Sequence, residues 1–344
     1  MRGAAGPLGW GVMSRRRAAP LLTLALAALP WDVLAQTGTT TTSFRIGYQA
    51  DGALQAPLSV TFYAAAPAEY RIQWDFGDGT GAQGPAQAHV YYRPGTYEVG
   101  VTLLDARGRV AGQSSLKVNV VTNGPERAEL TLLPGRGQLR VSGQGSVVYA
   151  PAAPQLTVNG QAVAAGAATR VGNGRVTVQS SVRSSAGTLL SKSVQFTMAD
   201  LGGSAPFELE VLRLTNQARA GGWNCQTLKP GGRALAPLKQ DAALDEAALA
   251  QSAGMALAGY FAHESALDGS TPLRRAQATG ARFQVVAENI AAGQETPQEV
   301  VTGWLRSPGH CKNIMGDFTR IGLSFVNRPG TKYVRYWTQV FAQP

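Results

Sequence analysis

The sequence predicts a multidomain chain, with two β domains followed by a domain of helices around a small sheet. Three observations carry that expectation. The chain has 344 residues, enough for two or three domains that each bury a core. From about Phe44 to Asp200 its apolar residues recur with period two, as in half-buried strands. At Ser204 the period changes: Phe207, Val211, Leu214 and Ala218 recur at spacings of four, three and four, which is one face of a helix.

Residues 1–35 read as an export signal. Arg15, Arg16 and Arg17 form its positive region, Ala18–Leu29 its apolar run and Val33-Leu34-Ala35 its cleavage site. About a dozen apolar residues are too few to span a bilayer. A secreted, extracellular or cell-envelope location is expected, and a transmembrane protein is not. Without the signal, 27 basic and 20 acidic side chains remain, a net charge of +7. These charges are scattered, with no basic run and no interleaved aromatics, so nucleic acid is not an expected partner. The surplus suits a solvated surface near an anionic envelope.

After the polar linker Thr37–Thr42, residues 43–122 form the first β domain. Tyr97–Leu103 alternates as a strand should, and Trp74-Asp75-Phe76-Gly77-Asp78-Gly79-Thr80 sets Asp78-Gly79 between strands. Both turn residues are expected at positive φ. Together with His89 and Pro94-Gly95-Thr96-Tyr97, this motif resembles the polycystic-kidney-disease (PKD) domain. The resemblance implies an immunoglobulin-like sandwich used for adhesion or spacing. Trp74 and Tyr97 are then core residues, Asp75 and Asp78 serve the turn rather than calcium, and His89 packs or hydrogen-bonds.

Gly124-Pro125 breaks the pattern and opens a second β domain over residues 126–200. Ala128–Leu133, Gln138–Ser142 and Arg175–Val182 alternate, and Asn159-Gly160 marks a hairpin turn. The segment has no Cys, His or Trp, and reads as an immunoglobulin-like spacer. Gly124-Pro125 and Leu201–Ser204 are expected as exposed boundaries.

Residues 204–344 form the last domain. Gly221-Gly222 stops its first helix, and Leu244, Ala248, Ser252 and Met255 mark a second that ends near Gly259. Thr271-Pro272 starts a third, which Gly280 ends. Thr296-Pro297-Gln298-Glu299 is a capping box for a fourth, ended by Ser307-Pro308. Strands are expected near 282–286, 321–326 and 333–341.

Four ordered motifs lie on this framework: F-A-H-E-S (Phe261–Ser265), A-E-N-I-A (Ala287–Ala291), G-W-L-R-S-P-G-H-C (Gly303–Cys311) and Y-W-T-Q (Tyr336–Gln339). They resemble the CAP superfamily (cysteine-rich secretory proteins, antigen 5, pathogenesis-related proteins), in particular its bacterial secreted branch, over roughly Phe207–Phe341. The resemblance implies a three-layer α-β-α sandwich. The chain is thus expected to hold two immunoglobulin-like sandwiches and then a CAP fold. Many eukaryotic members place two histidines and two glutamates around an open cleft. His263 and Glu288 match one of each, but Ser307 and Tyr336 stand where the others belong. His310, from the S-P-G-H motif, is expected to fill the cleft from another side. The expected ligand cleft is therefore His263, Glu288, His310 and Tyr336.

Three chemistries are open to these groups. His263, His310 and Glu288 suit a divalent metal such as zinc, though no H-E-x-x-H helix pair accompanies them. Ser307, His310 and Glu288 or Glu264 supply the parts of a serine hydrolase, without a G-x-S-x-G turn. The third reading links His263, Glu288 and His310 by hydrogen bonds that shape a cleft for binding. Asn289 is read as a turn residue and Trp304 and Trp337 as core. Cys225 and Cys311 are expected to pair in an oxidising compartment. Closing a loop of about 85 residues contributes roughly 4 kcal/mol in the chain-entropy model. A zinc site built from these cysteines and the histidines is the competing reading, without the usual spacing. Three function classes remain: a binding protein, with an envelope polymer, a lipid or an extracellular protein as partner; an enzyme acting on peptides or envelope polymers; and a structural adhesin.

Overall fold

The structure, a computed structural model, describes residues 33–35, 44–51, 53–283 and 285–343. The arginine cluster, apolar run and linker of the expected export signal lie outside them. The chain divides into two compact units, one built mainly on Ser59–His89 and Tyr97–Val118, the other mainly on the chain from Asn119 onward.

The first unit holds β1 (Val33–Ala35), β2 (Arg45–Ala50), β3 (Leu58–Ala65), β4 (Arg71–Asp75), β5 (Gly81–Gln83), β6 (Ala86–Tyr91), β7 (Gly95–Leu104) and β8 (Val110–Val120). They form two four-stranded sheets, ordered β1-β2-β3-β6 and β5-β4-β7-β8. The backbone expected at the signal's cleavage site pairs with β2, Val33 opposite Tyr48. Rings join the sheets: Phe62 of β3 meets Trp74 of β4 at 5.6 Å. Trp74 is core as expected, but Tyr97 is only half-buried.

The W-D-F-G-D-G turn differs from the expected two-residue hairpin. Positive φ falls on Gly77 and Gly79, not on Asp78, because the turn is longer and closes with Phe76 N–H donating to Thr80 O. A side chain at Gly77 would meet Glu98 O at 2.6 Å, which makes that position glycine-only. Asp75 accepts from Gly77 N–H, and Asp78 from Thr80 N–H, so both aspartates serve the turn.

The second unit begins with β9 (Thr131–Pro134), β10 (Gln138–Ser142), β11 (Gln155–Val158), β12 (Gln161–Val163), β13 (Thr169–Arg170), β14 (Gly174–Arg183) and β15 (Leu189–Met198). Their sheets are ordered β13-β10-β9 and β12-β11-β14-β15 around a core that includes Leu132, Val141, Val158 and Val178. Asn159 and Gly160 both take positive φ, the hairpin geometry expected of that pair.

The remaining elements are α1 (Ala205–Ala220), β16 (Trp223–Asn224), β17 (Lys229–Pro230), β18 (Lys239–Gln240), α2 (Ala242–Ala258), α3 (Pro272–Ala278), β19 (Val285–Ala292), α4 (Pro297–Leu305), α5 (Pro308–Ile314), β20 (Arg320–Asn327) and β21 (Arg335–Gln343). Side chains of Ser204, Asp241, Thr271 and Thr296 cap α1 to α4 through backbone N–H groups that the first turn leaves unpaired. The sheet runs β18-β20-β21-β19. Phe325, Trp337 and Phe341 on one face pack with Val211 of α1, Val300 and Trp304 of α4 and Ile314 of α5. On the other face, Val340 packs with Leu244 of α2 and Ala276 of α3. Helix α2 lies so close to β20 that a Cβ at Gly322 would fall 2.0 Å from the Leu244 backbone.

Two expectations need correction here. The strand expected near 282–286 is β19, so A-E-N-I-A lies inside a strand rather than beside a turn. Pro308 ends α4 and also starts α5, since its missing N–H costs nothing at a first helical position.

The two cores on either side of Ser204 meet in a small apolar cluster. Leu133 of β9 clusters with Ala250 of α2 and Ala278 of α3. Gly202 and Gly203 are exposed as expected, but Leu201 is buried and Gly202 exchanges backbone hydrogen bonds with Asn327, so the boundary is tied to β20. Among the described residues no helix is long and apolar enough to cross a membrane.

Candidate functional site

Glu288 sits at the centre of the site. Its place on β19, opposite Val340 of β21, turns its side chain toward the α2–α3 face, where it is 1% exposed. Leaving a carboxylate there unpaired would be costly. Arg275 of α3, equally buried, meets its Oε2 at 2.7 Å. The same guanidinium donates to the carbonyls of Ser270 and His263, so one cation holds both the carboxylate and the loop that precedes α3.

His263 completes the pair. Its Nδ1 lies 2.8 Å from Glu288 Oε1, while the ring is 51% exposed. An arginine-paired carboxylate only accepts, so Nδ1 carries the proton of this hydrogen bond, and the rest of the ring faces solvent. His310, in the first turn of α5, is half-buried. Burial first, then the nearby charge of His263, hold its pKa below the usual histidine range. Its carbonyl accepts from Asn289 Nδ2, and Asn313 of α5 donates to both Glu288 O and Asn289 Oδ1. The site therefore presents two imidazole rings on a rigid frame.

Cys225 and Cys311 form a disulfide with Cα atoms 5.6 Å apart, which ties α5 to the residue just after β16 and leaves neither cysteine for zinc. Tyr336 does not line the cleft. It is 0% exposed and packs among Leu201, Met255, Ile290 and Val326, because its strand position faces α2. Asn289 is a buried strand residue bonded to His310 O and Gln339, not a turn residue. Glu264 is exposed, and Trp304 and Trp337 are core. Sequence reasoning missed Arg275 and Asn313. The signal available for Arg275 was an arginine pair, Arg274-Arg275, between Leu273 and Ala276 on a short helix.

Two features of the donor set bear on the reactive readings. Both Glu288 oxygens are engaged, which leaves two imidazoles, and among the described residues no group of three His, Cys, Asp or Glu could hold a metal ion. That falls short of the three protein ligands of a catalytic zinc site. Ser307 is the N-cap of α5 and makes no side-chain cap bond. In the open reading of Ser307, His310 and Glu288 or Glu264 as a relay, Glu288 is bonded to His263.

Comparison with known proteins agrees with this architecture. Residues 212–341 match the cysteine-rich secretory protein family (CAP), and residues 44–118 match the PKD domain. The chain carries a C-terminal CAP domain and an N-terminal PKD domain. The uncharacterized protein YkwD of Bacillus subtilis (strain 168) is 38% identical over 136 residues, 39% of this chain and 46% of that protein. The uncharacterized membrane protein YlbC of the same organism is 34% identical over 135 residues, 39% of this chain and 34% of that protein. The chain thus spans less than half the length of either relative. Among solved structures, an extracellular SCP-domain protein from Bacillus anthracis str. Ames aligns over 91% of this chain and 89% of its own, with 14% identity and a TM-score of 0.33. An outer surface protein from Borrelia burgdorferi aligns over 42% of this chain and 98% of its own, with 20% identity and a TM-score of 0.34.

Proposed function

We propose that this is an exported binding protein of the cell envelope, whose α-β-α CAP domain receives a ligand at the exposed edge of His263 and His310. The β domains, read as immunoglobulin-like sandwiches, carry that domain away from the surface. One observation carries the proposal: a half-exposed imidazole is held on a fully buried Glu288–Arg275 pair. A buried, doubly bonded carboxylate fixes a ring without becoming a nucleophile or a base. Turnover would also need an activated nucleophile or an open metal position, and Ser307 is not placed for the first. Hydrogen-bonding ligands, such as the hydroxyls and amides of envelope glycans, fit this edge. The likeness to bacterial CAP proteins supports an extracellular setting.

The test is a titration of envelope glycan fragments and of lipid vesicles against the full chain, with His263→Ala and His310→Ala beside it. Saturable binding of the glycan, lost in both variants, is the expected result. Hydrolysis of peptide, ester or glycan that disappears in Ser307→Ala or His310→Ala would instead make the protein an enzyme.

A further inference from the structure

The middle β domain holds the loop that carries His263. Asp268, five residues beyond that histidine, is 5% exposed; its Oδ2 accepts from Leu132 N–H of β9 at 2.6 Å. Lys192 of β15 donates to Asp268 O and to Glu129 at 2.9 Å each. Glu129 is also met at 3.1 Å by Arg274. Leu267 packs against the apolar core of the β domain. Arg274 and Arg275 are neighbours on α3: the first pairs with the β domain, the second with Glu288, His263 O and Ser270 O. A displacement of α3 that breaks one set of bonds strains the other.

We propose that the middle domain is a positioning module for the binding edge, and that Glu129, Lys192 and Asp268 are its positioning residues. It rests on the binding role just proposed only in giving that edge its purpose; the clamp itself is a property of the free protein. Without the clamp, Asp268 loses its β9 partner and α3 loses one of its two anchors, so the loop over residues 263–270 opens locally. His263 then leaves Glu288, and its ring exchanges between tautomers. The β domain can thus act on ligand affinity without touching the ligand.

The test uses the full chain and no ligand. Amide exchange of residues 263–270 and the ring nitrogen signals of His263 are compared in the native protein, Lys192→Ala and Glu129→Gln. Arg140→Ala is the control, because Arg140 pairs with Glu246 on α2, at a different part of the same packing. Expected is roughly ten-fold faster exchange over 263–270 and averaged tautomers in the two clamp variants, with the control unchanged. Unchanged exchange and an intact Nδ1-protonated ring in both clamp variants would overturn the proposal. So would an equal loosening in Arg140→Ala, which would mean general destabilisation. Should Lys192→Ala not fold, Glu129→Gln decides alone, since it keeps size and removes only charge. The readouts involve no ligand, so failure to find one bears on the binding role and not on the clamp.

Discussion

His89 of the first unit and His263 of the second each meet a carboxylate oxygen at 2.8 Å, yet the two pairs are inverted in exposure. His89 is the covered partner: 14% exposed and stacked on Phe76 at 4.2 Å, beside the 23% exposed Asp78. In the other pair the carboxylate is covered, and the ring faces solvent. Burying the histidine makes a strut that fixes a turn. Burying the carboxylate makes a pedestal that presents a ring. Asp245 is a third case, a carboxylate on α2 that accepts from Leu323 N–H and Gln240, with no ion pair among the described residues. Burial pushes its pKa up to about 6, against hydrogen bonds that lower it.

The sharpest way to break this contrast is to remove the cation beneath the pedestal. Arg275→Met leaves Glu288 buried without a counter-charge and should cost about 3–5 kcal/mol by denaturant unfolding. Asp245 sharpens it through pH. Its folded pKa lies above the unfolded value, so the folded state keeps a proton that the unfolded state releases between about pH 4 and 6. Stability should fall as pH rises through that window. Asp245→Asn should flatten the Tm–pH curve there, an effect on the order of 1–2 kcal/mol after solvent screening. His89→Ala should cost about 1 kcal/mol, in the first unit alone, from its lost stack and hydrogen bond. His263→Ala should change stability by less than about 0.5 kcal/mol while removing ligand binding. A stability loss at His263 as large as that at His89 would erase the contrast.

Local signals in the sequence carried much of the fold. Caps at Thr271 and Thr296, the stop at Gly259 and the Asn159-Gly160 turn each act within a few residues, and each reads correctly. His263 and Glu288 were legible for another reason: their motifs name them. What stayed hidden depends on tertiary partners. Arg275 looks like a surface arginine until β19 is known to place Glu288 beneath α3. Tyr336 and Asn289 were misread because a strand sends alternate side chains to opposite faces, and only the pairing with neighbours says which face is open. The clamp of Lys192, Glu129 and Asp268 has no motif at all, since its bonds join distant parts of the chain, as in the one from Leu132 to Asp268 across 136 positions.

The Cys225–Cys311 disulfide has an unequal pair of sulfurs. Cys311 is fully buried among the apolar side chains around α5, whereas Cys225 is half-exposed. An incoming thiolate therefore reaches the Cys225 sulfur and must expel Cys311 as the leaving group. Inside an apolar core that thiolate is poorly stabilised, and exchange slows as the leaving thiol becomes more basic. The bond is guarded by the sulfur that the reductant never touches, and while it stands the helix bearing His310 stays tied to the residue just after β16.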